Sequence, residues 1–184
     1  ADEYGPVHFL LLPYLRPGYV RGLFPEHPPE GIDAAVRAVL AREQLNPAER
    51  NVLLSHQFYA GPGCLPVSSD SEMIYAAAGG LDSVGTDVLE PFDYTALGHL
   101  HRPQDVGSGR IRYCGSPLAY SVSEAGPDKS ITMITLGKKG GLPRQELLPL
   151  RPLRPVRTEK GLLEEVLARA GGLCHDYVSV TLTD

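Results

Sequence analysis

Two short apolar runs of this chain each end in histidine, and they constrain its fold more than any other feature. Asn51-Val52-Leu53-Leu54-Ser55 runs into His56, and Tyr94-Thr95-Ala96-Leu97 runs into Gly98-His99-Leu100-His101. Both runs have the length and composition of strands. Gly98 has no Cβ, so it permits a sharp turn or a close approach where the second run stops. Side chains two apart in extended backbone point to the same side, so His99 and His101 are expected to project together. In open α/β sheets, ligands gather outside the carboxyl ends of the strands. If the two runs are parallel neighbours, His56, His99 and His101 converge on one sheet edge. Neutral imidazole is a common donor to transition metals, which makes the three candidate metal ligands. The plainer alternative is that these histidines only cap strands.

The remaining elements follow from pattern. Pro6 to Leu12 reads as a buried strand stopped by Pro13, with His8 at its margin. Pro17 to Gly31 is rich in proline and glycine and reads as a loop, with His27 solvated in it. Ile32, Ala35, Val36, Val39 and Leu40 mark one face of an amphipathic helix that Asn46-Pro47 ends. A Gly- and Ser-rich loop runs from Gly61 to Ser71, and irregular chain continues from Ala76 to Gly85. Ile111 to Cys114 is a short strand. Ile131 to Leu136 and Gln145 to Leu148 form a hairpin across Gly137 to Pro143. Arg151-Pro152-Leu153-Arg154-Pro155 reads as an extended connector between domains. A second helix from Gly161 to Ala170 and a half-buried strand from Tyr177 to Thr183 follow it.

The 184 residues, 42% hydrophobic and 21% charged, suffice for one sizeable core and a piece of a second domain. No run approaches the roughly 18 apolar residues that span a bilayer, so no membrane role is expected. The chain starts without Met or a basic leader and stops inside a strand-like run, which reads as an excerpt of a longer chain. Cys64, Cys114 and Cys174 are odd in number and form no Cys-x-x-Cys. They argue against a disulfide framework and a zinc ribbon, and are expected to be buried free thiols in a reducing compartment. The net charge of −5 does not advertise nucleic-acid binding. Between Lys138 and Lys160, however, seven basic residues stand against two acidic ones. Such a strip attracts a phosphate backbone, although a solvated hairpin and linker would look the same.

Three neutral nitrogens alone would not hold a two-metal hydrolytic centre, which needs bridging carboxylates and metals about 3.5–4 Å apart. The acids near strand ends are Asp70, Glu72, Asp82, Asp93, Asp105 and Glu124, and none has a spacing that marks a bridge. Asp-x-His, Gly-Asp-x-x-Asp and Gly-Asn-His-Asp are all absent. The histidines therefore look like half of a site. Gly-x-Ser-x-Gly and the phosphate-binding Gly-x-x-x-x-Gly-Lys-Ser/Thr are also missing. Cys64 sits in a loop with no histidine tied to it.

The order Leu53-Leu54-Ser55-His56-Gln57-Phe58, Phe92 to His101, and Tyr113-Cys114-Gly115-Ser116-Pro117-Leu118-Ala119-Tyr120-Ser121, with Glu124 and Lys129 beyond, resembles the SbcD family. These are nuclease subunits within the calcineurin-like metallophosphoesterases. Leu148 to Arg154 resembles their passage into a capping domain. The resemblance implies an α/β fold, with residues 1–150 as the C-terminal half of a four-layer αββα phosphoesterase sandwich. Residues 151–184 would be the connector and the beginning of a small α+β capping domain. It implies a two-metal Mn2+ centre, with Mg2+ as the alternative. His56 and His99 would bind one ion and His101 the other, with Gly98 shaping the turn. It further implies a manganese-dependent exonuclease on duplex DNA and an endonuclease on single strands or hairpins, acting in repair, recombination and replication. An SbcC-type, SMC-like ATPase is the implied partner, a homodimer is a further expectation, and the implied location is cytoplasmic, at the nucleoid. Arg102, Lys138, Lys139 and Arg144 are the candidates for contact with the DNA backbone. The family's Asp and Asn ligands and its Asn-His-Asp histidine have no counterpart in the chain, so no complete catalytic set is expected from it alone. Two rival readings are a two-metal phosphoesterase for small phosphodiesters or phosphoproteins and a non-catalytic binding or scaffold module.

Overall fold

A computed structural model of the chain describes residues 1–63, 65–72, 76–77, 80–81, 83–126 and 129–184. Cys64 and Asp82, weighed above as a nucleophile and as an acid, lie outside the described residues. Five strands form the main sheet: β1 (Val7–Leu12), β2 (Arg50–Ser55), β3 (Tyr94–Leu97), β4 (Gln104–Asp105) and β5 (Ile111–Tyr113). Their spatial order is β1-β2-β3-β5-β4. All neighbours run parallel except β4, which pairs antiparallel with β5. Parallel pairing requires a crossover, and between β1 and β2 the helix α1 (Gly31–Leu40) supplies it.

The register decides what each face carries. Leu10 is opposite Leu53, Leu53 opposite Thr95, and Leu97 opposite Tyr113. One face thus presents Leu10, Leu12, Leu53, Leu97, Ile111 and Tyr113 to a core completed by Ile32 and Val36 of α1 and by loop residues such as Phe58, Leu89 and Leu100. The spacing Ile32, Ala35, Val36 is the buried stripe that the sequence predicts. The opposite face is open towards β1, where Phe9 is 60% exposed, Leu11 75% and Leu54 39%, whereas Val52 and Tyr94 on that face are buried. The expectation of a buried first strand is corrected accordingly. β1 is an edge strand with only β2 beside it, and one of its two faces lies open.

The expected hairpin is present as β6 (Ser130–Thr135) and β7 (Arg144–Pro149). Asp93, at the entrance to β3, pins its turn. Its carboxylate accepts from Lys139 Nζ (2.8 Å), the Gly140 N–H (3.0 Å) and the Asn51 N–H (2.8 Å). Arg112 of β5 adds a bond from Nε to Thr132 Oγ1 at 3.2 Å. Beyond the irregular stretch 151–155, β8 (Val156–Gly161), α2 (Leu163–Arg169) and β9 (Tyr177–Leu182) form a parallel β-α-β unit. The sequence reading places no strand at β8, because Val-Arg-Thr-Glu-Lys-Gly looks like solvated linker. Its strand character comes from pairing with β9, not from its own apolar content. A one-turn helix, Pro17–Val20, also stands in the stretch read as loop, with Pro17 at the first helical position, where its missing N–H costs nothing. Cys114 and Cys174 are free thiols and exposed, contrary to the expectation of burial. Among the described residues, no helix is long and apolar enough to cross a membrane.

Candidate metal centre

Because β2 and β3 are parallel neighbours, His56 and His99 leave the sheet at the same edge. The Gly98 N–H donates to the Ser55 carbonyl (2.9 Å) and ties the two exits together. A Cβ on Gly98 would stand 2.5 Å from His56 Nδ1, so the close approach requires glycine. The imidazoles of His56 and His99 meet edge to face, with ring centroids 5.6 Å apart and planes at 89°. Tyr14, beyond the end of β1, stacks on His99 at 6.0 Å and offers an edge to His56 at 6.4 Å. Phe58 lies 6.3 Å from His99.

His99 adopts φ 85°, and it is the only non-glycine residue with positive φ among those described. Such backbone is costly for a residue with a Cβ, and it tends to mark functional positions. It also explains a departure from the sequence reading. The rule that side chains two apart share a side holds for extended chain, and His99 is not extended. Its ring meets His56, Tyr14 and Phe58, whereas the His101 ring meets Tyr120 at 5.1 Å. His101 Nδ1 lies 3.0 Å from Glu124 Oε1 and 2.8 Å from Ser71 Oγ.

Burial pushes the His99 imidazole below its ordinary pKa, and the nearby His56 pushes in the same direction. The ring is therefore held neutral, which is the form that binds metal. Around His101 the electrostatics are those of a buried ion pair. Lys129 Nζ donates to Glu124 Oε2 (2.6 Å), to Ser116 Oγ (2.7 Å) and to the His101 carbonyl (3.0 Å). Burial alone would raise the Glu124 carboxyl. Hydrogen bonds from Lys129, Ser71 and His101 outweigh it and hold that carboxyl well below the usual range. The His101 N–H donates to Glu72. Glu124 enters the sequence reading as one of several acids near strand ends, and Lys129 only through resemblance. No spacing rule ties them to His101, because Glu124 ends a short 3-10 helix and Lys129 stands just before β6.

The donor chemistry of His56 and His99 fits part of a metal ion's coordination sphere. Among the described residues, no group of three or more His, Cys, Asp or Glu side chains is placed to hold a metal ion. His56 and His99 are brought together, and His101 is bonded into the Glu124 cluster. Of the basic candidates, Arg102, Lys138 and Arg144 are exposed and form no ion pair among the described residues. Lys139 is bound to Asp93, so a structural role accounts for its charge.

No protein-family model matches the chain. The SbcD subunit of the SbcCD nuclease from Rhodobacter capsulatus is 36% identical to it across a 166-position alignment that covers 80% of this chain and 37% of that relative. The chain thus spans little more than a third of the relative's length. Over the segment that the two share, the chain is SbcD-like.

Proposed function

We propose that the chain supplies the histidine ligands and a DNA-facing hairpin to a two-metal DNA nuclease of the SbcD type. The observation that carries this is the 36% identity to the SbcD subunit of the SbcCD nuclease over four fifths of the chain. The pairing of His56 with His99 beyond two parallel strand ends supports it. In this reading His56 and His99 bind one Mn2+, with Mg2+ as the alternative, and His101 binds a second ion. When bound, the metals supply charge neutralisation at the scissile phosphodiester and activation of water. The chain's own residues hold the geometry: Gly98 permits the close approach, and Tyr14 and Phe58 fix the His99 ring.

The carboxylate ligands would come from a segment packed on the open sheet face. Phe9, Leu11 and Leu54 support that placement, since a second sheet laid on them would complete a four-layer αββα sandwich. Arg102, Lys138 and Arg144 would meet the DNA backbone. The β8-α2-β9 unit would begin the capping domain, and an SbcC-type ATPase would be the partner at the nucleoid.

A protein that carries this chain with the remaining segments of the SbcD relative tests the reading. Duplex DNA and a small chromogenic phosphodiester are compared in Mn2+, with His99→Ala and His101→Ala alongside. Cleavage of the duplex that both substitutions abolish is the expected result. Turnover of the small ester alone would favour the rival phosphoesterase. Unchanged activity and metal affinity in both variants would leave only a scaffold. For the chain by itself, EPR titration with Mn2+ should show weak binding that His99→Ala removes. Tight binding of two ions would mean that the ligand set is already complete.

A further inference from the structure

We propose that Glu124 is a positioning residue for His101. It fixes the ring with the proton on Nδ1 and so leaves Nε2 as the atom presented to a metal ion or a substrate. The inference rests on the proposed two-metal function for its purpose, but its evidence lies entirely in the hydrogen bonds around the ring.

Both Glu124 oxygens are committed. Oε2 accepts from Lys129 Nζ at 2.6 Å and lies 3.2 Å from Ser116 Oγ, whose hydroxyl donates to the nearer Leu118 carbonyl at 2.7 Å. Oε1 lies 3.0 Å from His101 Nδ1 and accepts from Ser71 Oγ at 2.5 Å. The Glu124 side chain is 3% exposed and that of Lys129 7%, so the ion pair is buried. The Lys129 ammonium has three protons and three acceptors within reach: Glu124 Oε2, Ser116 Oγ and the His101 carbonyl. An ammonium committed in this way needs its counter-charge, so Glu124 is a carboxylate, and a carboxylate only accepts.

The tautomer follows. Ser71 has one hydroxyl proton, and its shortest contact, 2.5 Å to a carboxylate oxygen that can only accept, directs that proton to Glu124 Oε1. The Ser71 oxygen then faces His101 Nδ1 at 2.8 Å as an acceptor. Nδ1 thus meets two acceptors. A lone pair there would oppose both, whereas an N–H satisfies both. In the neutral ring Nε2 then carries the lone pair.

The same cluster holds the backbone that carries the ring. The His101 carbonyl accepts from Lys129 Nζ and from the Ser116 N–H (3.1 Å), and its N–H donates to Glu72. Tyr120 closes the side of the ring. Carboxylate partners of this kind orient metal-binding imidazoles and raise their basicity.

The test is side-chain 15N NMR on the labelled chain, without metal or DNA, at a pH where the ring is neutral, with His101→Ala to assign the signals. The wild-type chain should show His101 predominantly as the Nδ1–H tautomer. Glu124→Ala should return it to the Nε2–H form that free imidazoles favour. An Nε2–H tautomer in the wild type would overturn the proposal, and so would an unchanged tautomer in a folded Glu124→Ala chain. Glu124→Gln keeps the shape and removes the charge, which guards against a variant that fails to fold. A second readout is Mn2+-induced broadening of the His101 signals, expected to need about 10–100-fold more metal in Glu124→Gln. Absence of any broadening in the wild type would count against the metal reading, while the tautomer result would still decide the role of Glu124.

Discussion

Leu53 and Leu54 are neighbours in β2, and they mark the two faces of the main sheet. Leu53 is fully buried beneath α1, whereas Leu54 is 39% exposed beside Phe9 and Leu11. Strand alternation sends one to each side, so the difference lies in what covers each side. A parallel sheet normally has both faces covered, and its strands then read as continuous apolar runs. β1 and β2 carry such runs, yet on the face away from α1 the β1 residues Phe9 and Leu11 and the adjoining Leu54 are exposed, while Arg50 and Val52 of β2 are buried. The hairpin β6–β7 is bonded to the sheet through Asp93, Arg112 and, in β2, Arg50, which donates to the Gly137 carbonyl, whereas Phe9 and Leu11 of β1 at the far edge are exposed. The exposed apolar residues of β1 lie on the face where the proposed sandwich would place its second sheet.

Core truncation should sharpen the contrast most. Leu53→Ala is expected to cost about 2–5 kcal/mol in urea unfolding, the usual penalty for a cavity in a packed core. Next comes Gly98→Ala at the strand exits. Its methyl would push against the His56 ring, for a loss of about 1–3 kcal/mol and a change in the His56 and His99 ring signals by NMR. Asp93→Ala, which unpins the hairpin, should cost about 1–3 kcal/mol by leaving the Asn51 and Gly140 N–H groups without their acceptor.

The Asp93 link also has a pH signature. Burial raises its carboxyl, but bonds from Lys139, Asn51 and Gly140 win and leave its pKa below the ordinary aspartate value. A depressed folded-state pKa gives stability that is present above the unfolded value, 3.8. That stability is lost as pH falls through the folded value. Acid unfolding of the wild type should therefore include a component that Asp93→Asn lacks. The smallest effect belongs to the open face. Leu11→Ser should alter stability by no more than about 0.5 kcal/mol while lowering binding of a hydrophobic dye. A loss of about 2 kcal/mol or more would mean that this face is covered in solution, and the comparison would fail.

Where one residue's chemistry decided the outcome, the sequence was a sufficient guide. The stripe Ile32, Ala35, Val36 predicted α1, the glycines between Ile131 and Leu148 predicted the hairpin, and the missing side chain of Gly98 predicted a close approach. Pairing defeated the same reasoning. β8 is polar and is a strand only because β9 lies alongside. Phe9 and Leu11 have the composition of core, yet only a tertiary neighbour decides whether they are covered. At the candidate site, the meeting of His56 with His99 was legible from two strand ends. The separate surroundings of His101 were not, because they follow from the φ of His99 and from a carboxylate reached through loop closure.

The parallel order of the main sheet also bears on how the chain reaches its fold. β1 cannot find β2 until the chain through α1 has looped back, and β2 must wait again for β3 across a comparable length. Each closure loses entropy before any contact rewards it. The hairpin β6–β7 and the unit β8-α2-β9 join segments that are close in sequence and bear no such delay. Pulse-labelled hydrogen exchange should therefore find the amides of Ser130–Thr135 protected before those of Val7–Leu12, leaving the most apolar edge of the molecule as the last to find its partner.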